Sequence, residues 1–127
     1  MQEKELFEYA IVQVVPRVER GEFINIGVVL YCAKRKFLDA VFNLDESRLR
    51  AFSSDINLDE LAEYVKSYEA ICKGTPTSGP IGKLPVPERF RWLTAPRSTV
   101  LQTSPVHTGL SDDPNQMLTR LYEQLVL

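Results

Sequence analysis

The sequence predicts an α+β domain in which an antiparallel sheet of about four strands is flanked by two main helices and one or two short ones. Three observations support this fold class. Residues 1–43 carry three β-rich segments separated by short polar connectors, which is typical of a meander. The pattern changes to a helical period over residues 45–74 and again near the C-terminus. The composition is that of an ordinary globular domain, since 44% of the 127 residues are hydrophobic and 25% are charged.

The N-terminal strands are predicted from β-branched and aromatic residues and from the residues that interrupt them. Pro16 ends the first strand because proline has no N–H to donate, and Gly21 allows a positive φ in the connector that follows. The second strand is apolar on nearly both faces, which predicts a central strand covered on both sides. One of these faces is expected to comprise Ile24, Ile26, Val28, Leu30 and Cys32. The three strands are predicted over residues 7–15, 23–32 and 37–43.

Helices are predicted where a capping residue precedes an apolar period. Asp45 can cap a short helix, and Asn57 with Glu60 three residues later forms a capping box for a longer one. Gly74 suits the C-cap of that longer helix. Its buried face is expected to comprise Leu58, Leu61, Ala62, Val65, Tyr68 and Cys72.

The second half of the chain is predicted to contain a loop, a late strand and a final helix. Residues 73–87 are dense in Gly, Pro, Ser and Thr, which predicts a long surface loop, and residues 87–93 suit one or two helical turns. A fourth strand is expected over residues 98–103. Asp113 then caps the last helix, whose buried face is expected to comprise Leu118, Leu121, Tyr122 and Leu125.

Composition and motifs exclude several classes of protein. The length predicts one domain over residues 1–127, and 15 basic against 17 acidic residues exclude a global basic field. The longest apolar run, residues 26–33, is far shorter than the ~20 residues of a membrane helix, and the N-terminus does not resemble a signal peptide. Cys32 and Cys72 form no metal-binding motif. We therefore expect a cytoplasmic protein with reduced thiols, no metal and no membrane partner, with a disulfide between the two cysteines left open.

The first candidate binding group surrounds the predicted first hairpin and consists of Arg17, Arg20, Glu22 and Asn25. Two guanidinium groups three residues apart could hold a carboxylate or a phosphate bidentately. Asn25 is polar within an apolar strand, so it either fixes the loop backbone or reaches a ligand. The alternative interpretation is that Arg20 pairs with Glu22 or Glu19 at the surface.

The second candidate group lies in a basic segment, residues 81–110, which carries four Lys or Arg residues against one acid. Aromatic residues interleave with these arginines, a pattern that can dock a phosphate, a nucleic-acid backbone or an acidic partner. The alternative is a solvated helix face with Phe90, Trp92 and Leu93 in the core. The candidate residues are Arg89, Arg91, Arg97, Ser98, Thr99, Ser104 and His107.

His107 is the only histidine, and Ser104 precedes it by three residues. This pair raises the hypothesis of nucleophile–base catalysis, although adjacent loop residues rarely reach the required geometry. Asp112 and Asp113 are better explained by helix capping than by a metal site. No nucleotide-binding, zinc-protease or hydrolase motif occurs, so the sequence favours a non-enzymatic protein without a cofactor.

Two blocks of the sequence resemble a known family. The first is YAIVQVVP (residues 9–16) with RGEFINIGVVL (residues 20–30). The second is WLTAPRS (residues 92–98), SPVHTGL (residues 104–110) and the dipeptide Asp113-Pro114. These blocks resemble the start and the end of the bacterial domain-of-unknown-function family 3037, and the likeness covers essentially the whole chain. It implies no established activity and no catalytic residues. Genes of the family are often seen beside those for a HipA-like serine/threonine kinase, which implies an accessory role, related to toxin–antitoxin systems, with such a kinase as partner.

Three functions are therefore open, and the sequence leaves the oligomeric state undetermined. The leading hypothesis is a non-enzymatic binding module that engages a HipA-like kinase. Its site would combine Arg20, Asn25, Arg97 and His107 if the fourth strand pairs with the first or second. The second hypothesis is a phosphate- or nucleic-acid-directed domain that uses its arginine cluster and loses affinity steeply with salt. The third is an enzyme in which His107 acts as acid–base.

Overall fold

The computed structural model describes residues 3–97 and 99–127. In that part of the chain, one five-stranded antiparallel sheet packs with five helices, which confirms the α+β class. The strands are β1 (Glu5–Val14), β2 (Ile24–Cys32), β3 (Phe37–Phe42), β4 (Leu101–Thr103) and β5 (His107–Ser111). The helices are α1 (Glu46–Phe52), α2 (Leu58–Lys73), α3 (Gly79–Gly82), α4 (Val86–Leu93) and α5 (Pro114–Leu125). None of these helices combines the length and the apolar composition that crossing a membrane requires.

β1 is the strand through which the sheet is connected. The strand order is β3-β2-β1-β4, and β5 also pairs with β1. β4 pairs with residues 12–14 of β1 and β5 with residues 5–9, so the two short strands share one edge of β1. The sequence does not predict β5, because five residues that include a glycine carry too little alternation to indicate a strand. The predicted fourth strand is shorter than expected, and Ser98, its predicted first residue, lies outside the described residues.

β2 is buried on both faces, as its sequence predicts, but its faces are divided differently. The register with β1 shifts within the strand: Gln13 pairs with Asn25, but the next residue, Val12, pairs with Gly27. Ile26 has no partner and is the extra residue of a β-bulge. The alternation reverses at this point. Beyond the bulge, Val28, Leu30 and Cys32 face α5, whereas Val29 and Tyr31 face the opposite side, which Ile26 also faces. The predicted single face running from Ile24 to Cys32 is therefore wrong.

Helices cover the two faces of the sheet and create two apolar cores. α1, α2 and α4 contribute Leu49, Leu61, Val65, Phe90 and Leu93 to the first core. α5 contributes Leu118, Leu121 and the following Val126 to the second. The predicted caps are confirmed, since the side chains of Asp45, Asn57 and Asp113 accept from Arg48 N, Glu60 N and Gln116 N. Ala62, in contrast, is exposed and not part of the buried face of α2.

Gly27 marks the closest approach of β2 to β3. A Cβ at this position would lie 2.5 Å from Cδ1 of Phe42 and 2.7 Å from the backbone oxygen of Val41. Val41 and Phe42 both belong to the ladder with β2, so the backbone oxygen of Val41 cannot withdraw without disturbing the strand pairing. The sheet therefore requires glycine here for space.

We expect Gly27→Ala to lower the free energy of unfolding by about 2 kcal/mol or more, because the added methyl group overpacks a rigid part of the sheet. Urea denaturation measures the change. Gly21→Asn is the matched control, since Gly21 has a φ of 70°, a Cβ there would meet no atom within 4 Å, and Asn tolerates this conformation. An equal, small effect of both substitutions would contradict this account of Gly27.

Candidate functional site

An apolar cleft of about 240 Å³ opens between α2, α4 and β4. We call it the aromatic cleft and define it by Tyr64, Tyr68, Trp92, Leu93, Arg97 and Leu101, all of which line it. Trp92 and Tyr64 are 41% and 44% exposed, although both are large apolar side chains. Apolar side chains of this size at the mouth of a cleft are typical of a surface that receives a partner or ligand.

The helical period of α4 turns Trp92 toward the cleft. Phe90 and Leu93 are buried on the core side of the helix, which leaves Trp92 on the open side. The guanidinium of Arg97 lies 4.3 Å from the centroid of the Trp92 ring. The same group donates hydrogen bonds from Nη1 to Leu93 O at 3.3 Å and from Nη2 to Trp92 O. Arg97 thus satisfies free carbonyls at the end of α4 and holds the indole by a cation–π contact.

The two tyrosines of the cleft are neutral hydrogen-bond donors. Tyr68 OH donates to Leu93 O at 3.3 Å, and burial raises the pKa of Tyr68 well above its ordinary value. Tyr64 OH donates to Oε1 of Glu60 at 2.6 Å, and this hydrogen bond together with the Glu60 charge raises the pKa of Tyr64. Neither phenol is suited to ionise near neutral pH, so the cleft offers recognition chemistry more readily than acid–base chemistry.

The first predicted group, Arg17, Arg20, Glu22 and Asn25, is divided by the structure. Arg17 and Arg20 line a separate polar cleft of about 270 Å³, together with Glu22 and Asp55, which we call the arginine cleft. Nε of Arg17 lies 2.9 Å from Oδ2 of Asp55, and Nε of Arg20 lies 2.5 Å from Oε1 of Glu22. The side chains of both arginines are more than half exposed, so these pairs contribute little stability.

Asn25 ties the sheet to the end of α5. Its Nδ2 donates to Leu125 O at 3.1 Å, and its Oδ1 accepts from Nε2 of Gln13 at 3.3 Å. The polar residue in this apolar strand is therefore explained by a structural contact, but this contact is with the end of α5 and not with the loop backbone that the sequence suggested.

Arg89 is a structural residue at the C-terminus of α2. Its Nη1 donates to Ile71 O at 2.7 Å and to Cys72 O at 2.9 Å, while Nε donates to Leu84 O at 3.0 Å. These bonds close the helix end and fix the segment that follows it. That segment, predicted as a long loop, contains the short helix α3. Arg91, on the same helix as Arg89, is exposed.

The remaining predicted residues lie on β4, β5 and the turn between them. Oγ of Ser104 accepts from Ile11 N at 2.9 Å and donates to Pro105 O at 3.0 Å. His107 is exposed on β5, and its ring centroid lies 5.3 Å from that of Tyr9. Thr99 lines the aromatic cleft and donates from Oγ1 to Leu101 O at 2.8 Å. The hydroxyl of Ser104 is thus directed at backbone atoms.

The expected convergence of Arg20, Asn25, Arg97 and His107 does not occur, although β4 pairs with β1 as the hypothesis required. Asn25 contacts α5, and His107 packs on Tyr9, which belongs to the core on the α5 side. Arg97 binds the end of α4 on the other face of the sheet. Residues on opposite faces of a sheet cannot share one site.

Tyr64, one of the two half-exposed aromatic residues of the cleft, is not among the candidates that the sequence indicates. Tyr64 precedes Tyr68 by four residues, so the two phenols lie on neighbouring turns of α2. A large aromatic side chain one position outside the buried face is the signal that could have identified it. For Trp92 the sequence predicts either a docking surface shared with the arginines of the basic segment or a position in the core.

The described residues hold no group of three or more His, Cys, Asp or Glu side chains placed to bind a metal ion. Cys32 and Cys72 are both free and buried, and they belong to opposite cores. The disulfide that the sequence left open is therefore absent.

The fold and the cleft define a small α+β protein with an open, apolar cleft at its surface. The family model described as a protein of unknown function (DUF3037) matches residues 9–126, so the chain belongs to this family. The resemblance drawn from the two sequence blocks is confirmed. No curated protein and no solved structure matches the chain.

We expect Arg89→Met to lower the free energy of unfolding by about 2 kcal/mol or more, because it leaves the carbonyls of Ile71, Cys72 and Leu84 without a charged donor. Arg91→Met on the same helix is the control and should change stability by less than about 0.5 kcal/mol. Chemical denaturation of both variants tests this. Equal stability of the two would show that Arg89 is not needed to close α2.

The Cys72 thiol should make stability depend on alkaline pH. Burial, followed by the Asp39 carboxylate, raises the pKa of Cys72 to about 12 from an ordinary value of 9.0. The unfolded thiol ionises first, so the folded state retains the proton and loses stability as the pH rises from about 9 to 12, by ~1.4 kcal/mol per unit. Between about pH 8 and pH 10, wild type should lose about 1 kcal/mol more than Cys72→Ala. Parallel losses in the two proteins would contradict this.

Proposed function

We propose that this chain is a cytoplasmic, non-enzymatic binding module whose aromatic cleft receives an apolar or aromatic side chain of a protein partner. The partner we propose is the HipA-like serine/threonine kinase that the family resemblance implies. The observation that carries the proposal is the pair of half-exposed side chains, Trp92 and Tyr64, that lines one apolar cleft. A cytoplasmic location is supported by the two free thiols.

The cleft has the properties of an energetic centre of a protein interface. Trp, Tyr and Arg are the residues most often found at such centres, and Trp92, Tyr64 and Arg97 supply one of each. Arg97 fixes the indole in place, so little side-chain entropy is lost when a partner packs on it. A small volume of about 240 Å³ suits a single inserted side chain better than a whole cofactor.

The surface beside the cleft supports a polar rim. Tyr64 also lines a smaller depression that includes Val100, Pro16 and Asp55. Pro16 and Asp55 in turn line the arginine cleft, so the three depressions follow one another across the surface. A partner anchored in the aromatic cleft could extend toward Arg17. The exposed charges of the arginine cleft would then help to orient the partner, while adding little affinity.

The other two hypotheses receive less support from these positions. Arg89 and Arg97 donate to backbone carbonyls, and Arg20 is paired with Glu22, so the basic residues do not present a common phosphate-binding surface. Ser104 is bonded to backbone atoms and His107 packs on Tyr9, which is no arrangement for nucleophile–base catalysis.

We expect Trp92→Ala to weaken binding of the kinase at least ~30-fold, since truncating an interface anchor costs about 2 kcal/mol or more. Tyr64→Ala should weaken it in the same direction. Isothermal titration calorimetry gives the affinities, and circular dichroism checks the fold of each variant.

Phe23→Ala is the matched control for this prediction. Phe23 is 50% exposed but lies at the start of the β2 hairpin, away from the aromatic cleft, so its removal should leave the affinity unchanged. Unchanged affinity in Trp92→Ala would refute the cleft as the docking site, and failure of wild type to bind the kinase would refute the choice of partner. A steep fall of affinity with salt would favour the phosphate-directed hypothesis.

A further inference from the structure

The sheet presents three strands at its edges, and β5 differs from the other two. β3 carries a charged residue, Asp39, which discourages pairing with another strand. β4 is engaged by its own loop, because Leu101 O accepts from Thr99 and Oγ1 of Thr103 donates to Thr94 O. β5 carries no Asp, Glu, Lys, Arg or Pro, and its residues Thr108 and Leu110 are exposed. It is the edge on which the usual protection against pairing is weakest.

The outward-facing backbone groups of β5 follow from the ladder with β1. Ile11 O accepts from Ser104 N at 2.9 Å, and Val15 N donates to Val100 O at 2.7 Å, so odd-numbered residues of β1 direct their backbone groups to this edge. In an antiparallel ladder these groups alternate, and Phe7 is paired with Gly109. The N–H and C=O of Thr108 and Leu110 therefore point away from β1, toward solvent.

We propose that the occupant of this edge is β5 of a second copy of the chain, paired antiparallel about a two-fold axis at Gly109. In this register Thr108 lies opposite Leu110 of the second copy, and Leu110 lies opposite Thr108 of the second copy. All four outward N–H and C=O groups of each copy are then used, in four hydrogen bonds across the axis. Registers centred on Thr108 or on Leu110 pair fewer of these groups. The two five-stranded sheets become one continuous sheet.

The side chains fit the same two-fold axis. Leu6 and Leu110 are directly opposite one another in the β1–β5 ladder and are 58% and 60% exposed. In the dimer Leu110 becomes the cross-strand neighbour of Thr108 of the second copy, and the two Leu110 side chains lie diagonally across the axis on one face of the sheet. Gly109 has no side chain to obstruct the axis, where the two strands come closest. A larger residue does not fit at this position, since a Cβ there would lie 2.6 Å from the Phe7 ring.

The small size of this contact sets its strength. Five paired residues from each copy lie at the low end of specific interfaces, below about 1,200 Å², so the dimer should be weak and reversible. No residue of β5 lines the aromatic cleft. This inference is independent of the proposed function, and a failure of one does not affect the other.

Sedimentation equilibrium of the whole chain tests the proposal. The concentrations run from about 5 to about 500 µM, the range in which a weak dimer dissociates and forms. We expect the mass to rise from 14.5 kDa toward twice that value. Leu110→Lys adds a charge to the exposed edge, and Thr108→Pro removes one outward N–H without touching the internal ladder. Both variants should remain monomeric, whereas Phe23→Lys, a charge placed at another exposed aromatic residue, should dimerise like wild type.

The register is tested by cysteine pairing with oxidised glutathione. Thr108→Cys mixed with Leu110→Cys should give a disulfide-linked dimer, because these positions face each other across the axis, and either variant alone should give much less. A chain that stays at 14.5 kDa throughout would overturn the proposal. So would a dimer that survives Leu110→Lys and Thr108→Pro, or equal cross-linking in the mixture and in the single variants.

Discussion

The structure depends on the burial of β2 on both of its faces. A strand with apolar residues on each side must be covered twice, and the chain meets this requirement with α1, α2 and α4 on one face and α5 on the other. The bulge at Ile26 decides which residues face which layer. Since α4 must cover the first face, its exposed side is left beside β4, and this is where Trp92 lies. The aromatic cleft is thus a consequence of how the central strand is covered.

Two arginines of the basic segment close helices. Arg89 ends α2 and Arg97 ends α4, in each case by donating to carbonyls that the helix leaves free. A segment that is basic in sequence therefore presents an apolar cleft in three dimensions. Counting charges along a chain does not distinguish a guanidinium that awaits a ligand from one already bound to backbone oxygen.

Local features of the fold were predictable, and non-local ones were not. The caps at Asp45, Asn57 and Asp113 depend on neighbours within three residues, and the sequence predicts them correctly. The bulge and β5 depend on pairing with β1, a partner far away in the sequence, so no local pattern indicates them. The candidate site follows the same rule. The sequence indicates Trp92 and Arg97, but it does not indicate Tyr64, which joins them only through the tertiary packing of α2 beside α4.

The sharing of one edge of β1 between β4 and β5 has a consequence for how the chain folds. Residues 5–14 are synthesised well before their partners on that edge, residues 101–111, so the contacts that complete the sheet are among the most distant in the chain. Topologies dominated by such distant contacts fold slowly. Until residues 101–111 are made, β1 exposes an unpaired apolar edge, and the nascent protein is most vulnerable to aggregation during this interval.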